Sequence, residues 1–170
     1  MHVLTRPRRL TQEEFGRRWE ESREKFYRFA YCYVKNEHDA KEILSEATYR
    51  AFCALDTLRE PAYFDTWMCR ILMRCAFDLL RRQRRFVPYD ETLAEAEGEG
   101  EMESSDTRLD VYRLMDALPP EERTLLILKF FEERTFEEIG EITEIPVNTV
   151  KSRVYRSLAR LRALQGGERA

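Results

Sequence analysis

Glycine is scarce, six in 170 residues. Strand-type alternation of apolar and polar residues is nearly absent, so a β-sheet core is not expected. No apolar run approaches the ~20 residues that a membrane-crossing helix needs. The opening MHVLTRPRRL carries arginines with no apolar stretch behind them, which is not the pattern of a secretory leader. Only four cysteines occur, Cys32, Cys53, Cys69 and Cys75, and none is spaced as CxxC. They read as buried, reduced thiols of a cytoplasmic protein rather than as disulfides or metal ligands. The two histidines, His2 and His38, have no nearby cysteine or second histidine, so no zinc site and no other metal or cofactor is expected. No nucleophile–base arrangement and no glycine-rich phosphate loop appears, so the chain does not read as an enzyme with a small-molecule substrate.

What is present is helical periodicity and segregated charge. The net charge is only −3, but it is unevenly placed. From Tyr89 to Thr107 there are eight acidic residues and no basic one, whereas from Pro146 onward there are six Lys or Arg and one Glu. Arg81, Arg82, Arg84 and Arg85 cluster just before the acidic stretch. The pattern is that of basic surfaces joined by an acidic tether.

The periodicity predicts an all-α chain of two small helical domains. Thr11 and Glu14 form a capping box, opening a helix through Phe15 and Trp19 toward Tyr33. Lys35 to Asp39 reads as a turn. Ala40, Ile43, Leu44, Ala47 and Ala51 mark the buried face of a second helix. Leu58 to Tyr63 reads as a loop containing Pro61. Phe64 to about Arg85 forms a third helix, with Trp67, Ile71, Cys75 and Leu79 on its buried stripe. Residues 87–107, with AEAEGEGEMESSD, hold too little apolar surface to offset their ordering entropy and read as a flexible linker; a solvated helix is the alternative. Periodicity returns at Leu109, Tyr112, Met115 and Leu118. Pro119 and Pro120 end that helix and open the next, whose apolar side holds Leu125, Leu128 and Phe131.

The run from Thr135 to Arg162 carries the strongest functional signal. Thr135 and Glu138 form another capping box, and Ile139 and Ile142 give a short helix an apolar face. Pro146 suits a first turn but not a helix interior. Val150, Val154, Leu158, Leu161 and Leu164 then recur at spacings of four, four, three and three, the stripe of a second helix. Lys151, Ser152, Arg153, Arg156 and Arg160 lie off the stripe. A short helix followed by a basic one is the helix-turn-helix arrangement that seats a recognition helix in the DNA major groove.

Three segments, in order, resemble the extracytoplasmic-function group of bacterial RNA polymerase sigma factors. They are DAKEILSEATYRAF (Asp39–Phe52), WMCRILMRCAFDLLRRQRR (Trp67–Arg85) and the stretch Leu118–Arg162 beginning LPPEERTLL. The resemblance covers about Phe26 to Leu164. It implies an N-terminal extension and first-helix start at 1–20, and a region 2-like domain at 21–86 that binds a coiled coil of the largest polymerase subunit and melts the −10 element. A linker follows at 87–107. A region 4-like domain at 108–165 would bind the polymerase flap and read the −35 element, and residues 166–170 form a tail. The resemblance further implies an anti-sigma factor, often membrane-anchored, as a partner beside core polymerase and promoter DNA.

It also assigns residues. Glu42, Ser45, Glu46, Tyr49 and Arg50 fall where the family binds core polymerase; by spacing alone the same stripe reads as an ordinary solvated face. Ser45 replaces the usual Gln. Tyr63, Arg70, Arg74, Arg81, Arg82, Arg84 and Arg85 are the candidates for −10 DNA, with Arg74 where the family usually has Asn. Phosphates would neutralise the arginines; a solvated basic face or pairing with the acidic linker is the competing account. Tyr63 and Phe64 either stack on an unpaired base or start the helix as core, the second being preferred for Phe64. Trp67 reads as core. Asn148, Thr149, Lys151, Ser152, Arg153 and Arg156 are the candidates for −35 DNA, and spacing does not separate a base-reading Arg from a phosphate-binding one. Glu144 stands where such turns usually place Gly; a left-handed backbone there costs ~1–2 kcal/mol. The rival function is a stand-alone helix-turn-helix regulator. It would bind duplex DNA without polymerase, and it has no need of both N-terminal segments.

Overall fold

The computed structural model describes residues 9–86 and 114–167, and all regular structure among them is helical. The chain divides into two compact units, Met1–Tyr89 and Asp90–Ala170. The expected linker at 87–107 and the helix positions Leu109 and Tyr112 lie outside the described residues.

In the first unit, α1 spans Gln12–Val34, α2 Glu37–Cys53 and α3 Phe64–Phe86. Each packs against the other two. The Thr11 capping box forms as its sequence predicts. The Glu14 N–H donates to Thr11 Oγ1 at 3.2 Å, and the Thr11 N–H donates to Glu14 Oε2 at 3.0 Å, satisfying two otherwise orphaned donors. α1 ends at Lys35, which is left-handed (φ 55°, ψ 21°). The turn that follows is shorter than Lys35–Asp39. Asn36 Oδ1 accepts from the Asp39 N–H at 2.8 Å, so Glu37–Asp39 already form the first turn of α2.

Ala40, Ala47 and Ala51 of α2 are fully buried with Ile43, and their small side chains let α2 seat closely on its neighbours. Leu44, placed with them by the sequence, is only half-buried. Phe15, Phe26 and Phe64 are buried, and Trp19 stacks 5.5 Å from Phe26. The expected loop is irregular at Leu58–Glu60 and closes in a 3₁₀ turn at Pro61–Tyr63, opened by Pro61; another 3₁₀ turn, Leu55–Thr57, precedes it. Arg18 Nη1 donates to the Pro61 carbonyl at 3.0 Å and so ties that turn to α1.

The buried line of α3 runs through Met68, Leu72, Cys75, Ala76 and Leu79. Trp67 and Ile71 are half-buried instead of core. Because α3 packs on both α1 and α2, its buried sector is wider than one stripe and is centred about one residue further on. Trp67 lies at the edge of that sector, its Nε1 donating to Thr57 Oγ1 at 3.2 Å. Cys32, Cys69 and Cys75 are buried as expected, but Cys53, at the end of α2, is exposed. Burial pushes the Cys75 thiol up to about 11, which keeps it protonated and inert at neutral pH.

In the second unit, residues 114–116 are helical and Pro119–Pro120 open α4, Pro120–Leu126, which runs into a π turn at Ile127–Phe131. Arg123 fastens that corner, donating through Nε to the Met115 carbonyl at 3.1 Å and through Nη2 to the Leu118 carbonyl at 3.3 Å. The helix-turn-helix follows as α5, Phe136–Thr143, and α6, Val147–Gly167. Its Thr135 capping box also forms: Thr135 Oγ1 accepts from the Glu138 N–H at 3.2 Å, and Glu138 Oε2 accepts from the Thr135 N–H at 2.8 Å. That backbone bond is the main reason the Glu138 carboxyl sits below its usual range.

Val150 and Val154 are buried as their stripe predicts, but Leu158 and Leu161 are half-buried and Leu164 is exposed. The fully buried Ser157 takes the next core position instead. Its Oγ donates to Glu122 Oε2 at 3.0 Å, and Arg160 pairs with the same carboxylate oxygen at 3.5 Å, joining α6 to α4.

Glu144 is left-handed (φ 60°, ψ 31°), the strained alternative for this turn. The glycine of the motif, Gly140, serves close approach: a Cβ there would lie 3.0 Å from the Ile145 carbonyl oxygen and 3.3 Å from Val147 Cγ2. Glu144→Gly is therefore expected to stabilise the second unit by about 0.5–1 kcal/mol, relief of the left-handed strain exceeding the added chain entropy. Urea unfolding checks it; an unchanged or lowered midpoint would show that the Glu144 side chain offsets its own strain.

Candidate polymerase and promoter interfaces

Three polar surfaces stand out, two on the first unit and one on the second. The first lies between α2 and α3, an open cleft of about 490 Å³. Of the predicted residues, Glu42, Ser45, Glu46 and Arg50 form its α2 wall, and Asp78, Arg81 and Arg82 come from α3. Arg50 bridges the two helices, with Nε 2.7 Å from Glu46 Oε1 and Nη1 2.8 Å from Asp78 Oδ2. These bonds, to Asp78 first, raise the already high pKa of the guanidinium. Arg82 Nη2 lies 3.0 Å from Glu42 Oε1. All these side chains are about half exposed, so each pair adds little to stability, but together they hold the rim in one arrangement. Tyr49, 68% exposed, stands one turn from Glu46 on the same stripe. Asp78 was not among the predicted residues. Its signal was the i,i+4 series Arg74–Asp78–Arg82, which places a carboxylate between two guanidiniums.

His38, Asp39 and Glu42 bring possible ligand atoms within 4.8 Å of one another at the start of α2. Asp39 Oδ2 already accepts from Asn36 and Gln83, and Glu42 pairs with Arg82, so protein donors satisfy this acidic corner.

The second surface is the outer face of α3, which adjoins the cleft at Arg81. At about 100° per residue, Arg70, Arg74, Arg81 and Arg84 fall within a sector of about 80°, facing away from Met68, Leu72 and Leu79. Arg74, Arg81 and Arg84 are exposed and Arg70 is half-buried. Arg82 is set apart, turned toward α2 by Glu42. Arg85 lies in the last turn of α3, beyond the described side chains. Among the described residues Arg81 and Arg84 make no ion pair, and both side chains are exposed, Arg81 at the mouth of the cleft. The choice left open between Tyr63 and Phe64 divides cleanly: Phe64 is 2% exposed and belongs to the core, whereas Tyr63 is 56% exposed at the head of the arginine face.

The third surface is the outer face of α6. Burial of Val150, Val154 and Ser157 fixes the helix rotation, so Asn148, Ser152, Tyr155 and Arg156 share an exposed sector of about 100°. Lys151 and Arg153 lie on its two flanks and are half-buried, as is Thr149. Ser152 Oγ donates to the Thr149 carbonyl at 3.0 Å. Among the described residues neither Arg153 nor Arg156 makes an ion pair. Tyr155, 62% exposed, was not among the predicted residues; its signal is its position seven residues after Asn148 and three after Ser152, on the same helix face. No helix of the described residues is long and apolar enough to cross a membrane.

Comparison with known proteins gives a separate family match in each of the two units. Residues 19–86 match the family Sigma-70 region 2, and residues 108–161 match Sigma-70, region 4. RNA polymerase sigma factor SigV of Bacillus subtilis is 40% identical over 138 residues, covering 81% of this chain and 82% of SigV. The ECF RNA polymerase sigma factor SigW of the same organism is 30% identical over 154 residues, covering 82% of each. The ECF RNA polymerase sigma-E factor of Escherichia coli is 32% identical over 133 residues, covering 70% of each. Among solved structures, the fold is similar to that of the sigma factor RpoE in complex with the anti-sigma factor NepR from Bartonella quintana. That match has a TM-score of 0.72 at 18% identity, over 91% of this chain and 98% of the other. CnrH in complex with the cytosolic domain of CnrY gives a TM-score of 0.70 at 21% identity, over 92% and 90%. The region 2 match does not favour a stand-alone helix-turn-helix regulator. With both regions matched and relatives at these identities, the chain belongs to the extracytoplasmic-function group of the sigma-70 family of RNA polymerase sigma factors.

Proposed function

We propose that this sigma factor divides promoter recognition among the three surfaces. The α2–α3 rim, with Glu42, Ser45, Glu46, Tyr49 and Arg50, docks on the largest-subunit coiled coil of core polymerase. The arginine face of α3, with Tyr63 at its head, takes the melted −10 element: the guanidiniums neutralise phosphates and the phenol ring stacks on an unpaired base, a contact worth ~1–3 kcal/mol. The outer face of α6 reads the −35 element in the major groove, and its domain also meets the polymerase flap. The observation that carries the reading is that face of α6, where Arg156 projects with no ion pair beside Asn148 and Ser152. In this reading Arg156 takes a base edge, and Arg153 and Lys151, on the flanks, take the phosphates of either strand. The protein acts in the cytoplasm and needs no cofactor and no catalytic residue of its own; bond formation belongs to polymerase. An anti-sigma factor restrains it, a reading supported by the fold shared with RpoE, whose solved structure contains NepR.

The polymerase surface is tested by charge reversal. Glu42→Lys with Glu46→Lys is expected to weaken core polymerase binding at least about 10-fold in a competition assay. Because both glutamates pair with arginines of the same unit, Glu42→Gln with Glu46→Gln is measured alongside, and thermal unfolding reports whether either pair of changes loosens the fold. Unchanged affinity for core removes this surface from the interface.

A further inference from the structure

We infer that Phe136 is a positioning residue for promoter binding, and that it acts by holding the ammonium of Lys151 toward the DNA backbone. The inference rests on the reading of α6 as the −35 helix. Phe136 is the first residue of α5, so it stands beside α6 where the helix-turn-helix closes. Two ammonium groups lie over its ring, Lys129 Nζ at 4.5 Å from the centroid and Lys151 Nζ at 5.7 Å. Two like charges gathered on one neutral ring require attraction from the ring's electron-rich face, since they repel each other.

The two lysines are not equivalent. Lys129 has a second anchor, donating to the Arg134 carbonyl at 3.3 Å, and so is part of the fold. Lys151 has none: among the described residues it makes no hydrogen bond and no ion pair, and the ring is its one attachment. Its N–H donors therefore remain available to an outside anion while the ring limits where the flexible side chain can go. Tyr155, on the exposed sector of α6, lies 6.2 Å from the same ring, which places the aromatic pair along the edge of the proposed DNA face. A cation on the flank of a recognition helix, with N–H donors that no acceptor among the described residues takes, suits a phosphate and not a base edge. Phe136 would thus lower the entropy that Lys151 loses on binding without touching DNA itself.

The test uses holoenzyme reconstituted from core polymerase and the full chain, bound to a promoter from which it initiates. Lys151→Ala is expected to weaken binding across promoter sequences and to make the salt dependence shallower by about 0.9 in log–log slope, one phosphate contact. Phe136→Leu, which keeps apolar bulk, is expected to cost about 2- to 5-fold in affinity, and Phe136→Tyr, which keeps the ring, to retain wild-type affinity. The double variant Phe136→Leu, Lys151→Ala is expected to bind no more weakly than Lys151→Ala alone, because the ring acts through the lysine. Losses that multiply in the double variant, or a Phe136→Tyr variant as weak as Phe136→Leu, would overturn the positioning role and leave α6 as the reading helix. Unchanged promoter affinity in Arg156→Ala would instead remove the −35 reading of α6, and the inference with it.

Discussion

Arg156→Ala is expected to lower −35-dependent initiation about 5- to 150-fold, the equivalent of the ~1–3 kcal/mol carried by a bidentate arginine–guanine contact. The residue lies on the exposed sector of α6, at its margin nearest Arg153, and no carboxylate among the described residues competes for it. The loss should appear in runoff transcription from a promoter with an intact −35 element and disappear when that element is scrambled, since the contact then has nothing to read. Arg153→Ala, on the flank, should cause a smaller loss that is similar for both templates. Core affinity should be unchanged in either variant, because the proposed docking rim is made by residues of α2 and α3 alone. An equal loss of core affinity would mean that this face serves polymerase and not DNA.

The second large effect is on stability. Phe26→Ala is expected to destabilise the first unit by ~3–5 kcal/mol through lost burial and an unfilled cavity. Phe26 is fully buried, its ring 5.5 Å from Trp19 and 6.3 Å from Phe64, so it joins α1 to the head of α3. A unit of this size has in total roughly 4–10 kcal/mol of stability. The substitution should therefore lower its unfolding midpoint by more than about 12 °C. Polymerase binding should fall with it, since the docking rim exists only while α2 and α3 stay packed. An unchanged midpoint would mean that the aromatic cluster is not the centre of this core.

Both capping boxes were legible because they depend on residues three apart in one strand of chain. Thr11 with Glu14 and Thr135 with Glu138 need no knowledge of partners. The helix-turn-helix was legible for the same reason, and resemblance supplied its role. What the sequence did not show depends on neighbours. Trp67 and Ile71 repeat at helical spacing as well as Met68 and Leu72 do, and only packing against two helices at once selects the second pair. Leu164 continues the stripe of Val150 and Val154 but is exposed, while the polar Ser157 is buried because Glu122 is there to receive its hydroxyl hydrogen. Arg82 looked like one more member of a basic cluster until Glu42 turned it to the other side of α3. That Arg156 is exposed and Arg153 half-buried on the flank follows from the rotation of α6, which burial of Val150, Val154 and Ser157 defines. Glu144 was identified as the misfit in its turn, and whether the backbone was left-handed required the structure.

The most direct measurement of the central claim is runoff transcription with purified core polymerase and a genomic promoter library, with and without this protein. The account predicts new, discrete start sites that share −35 and −10 elements, and loss of those with a strong −35 dependence when Arg156 is replaced by alanine. Absence of initiation, together with tight duplex binding by the protein alone, would contradict it and return the chain to the reading of a stand-alone regulator.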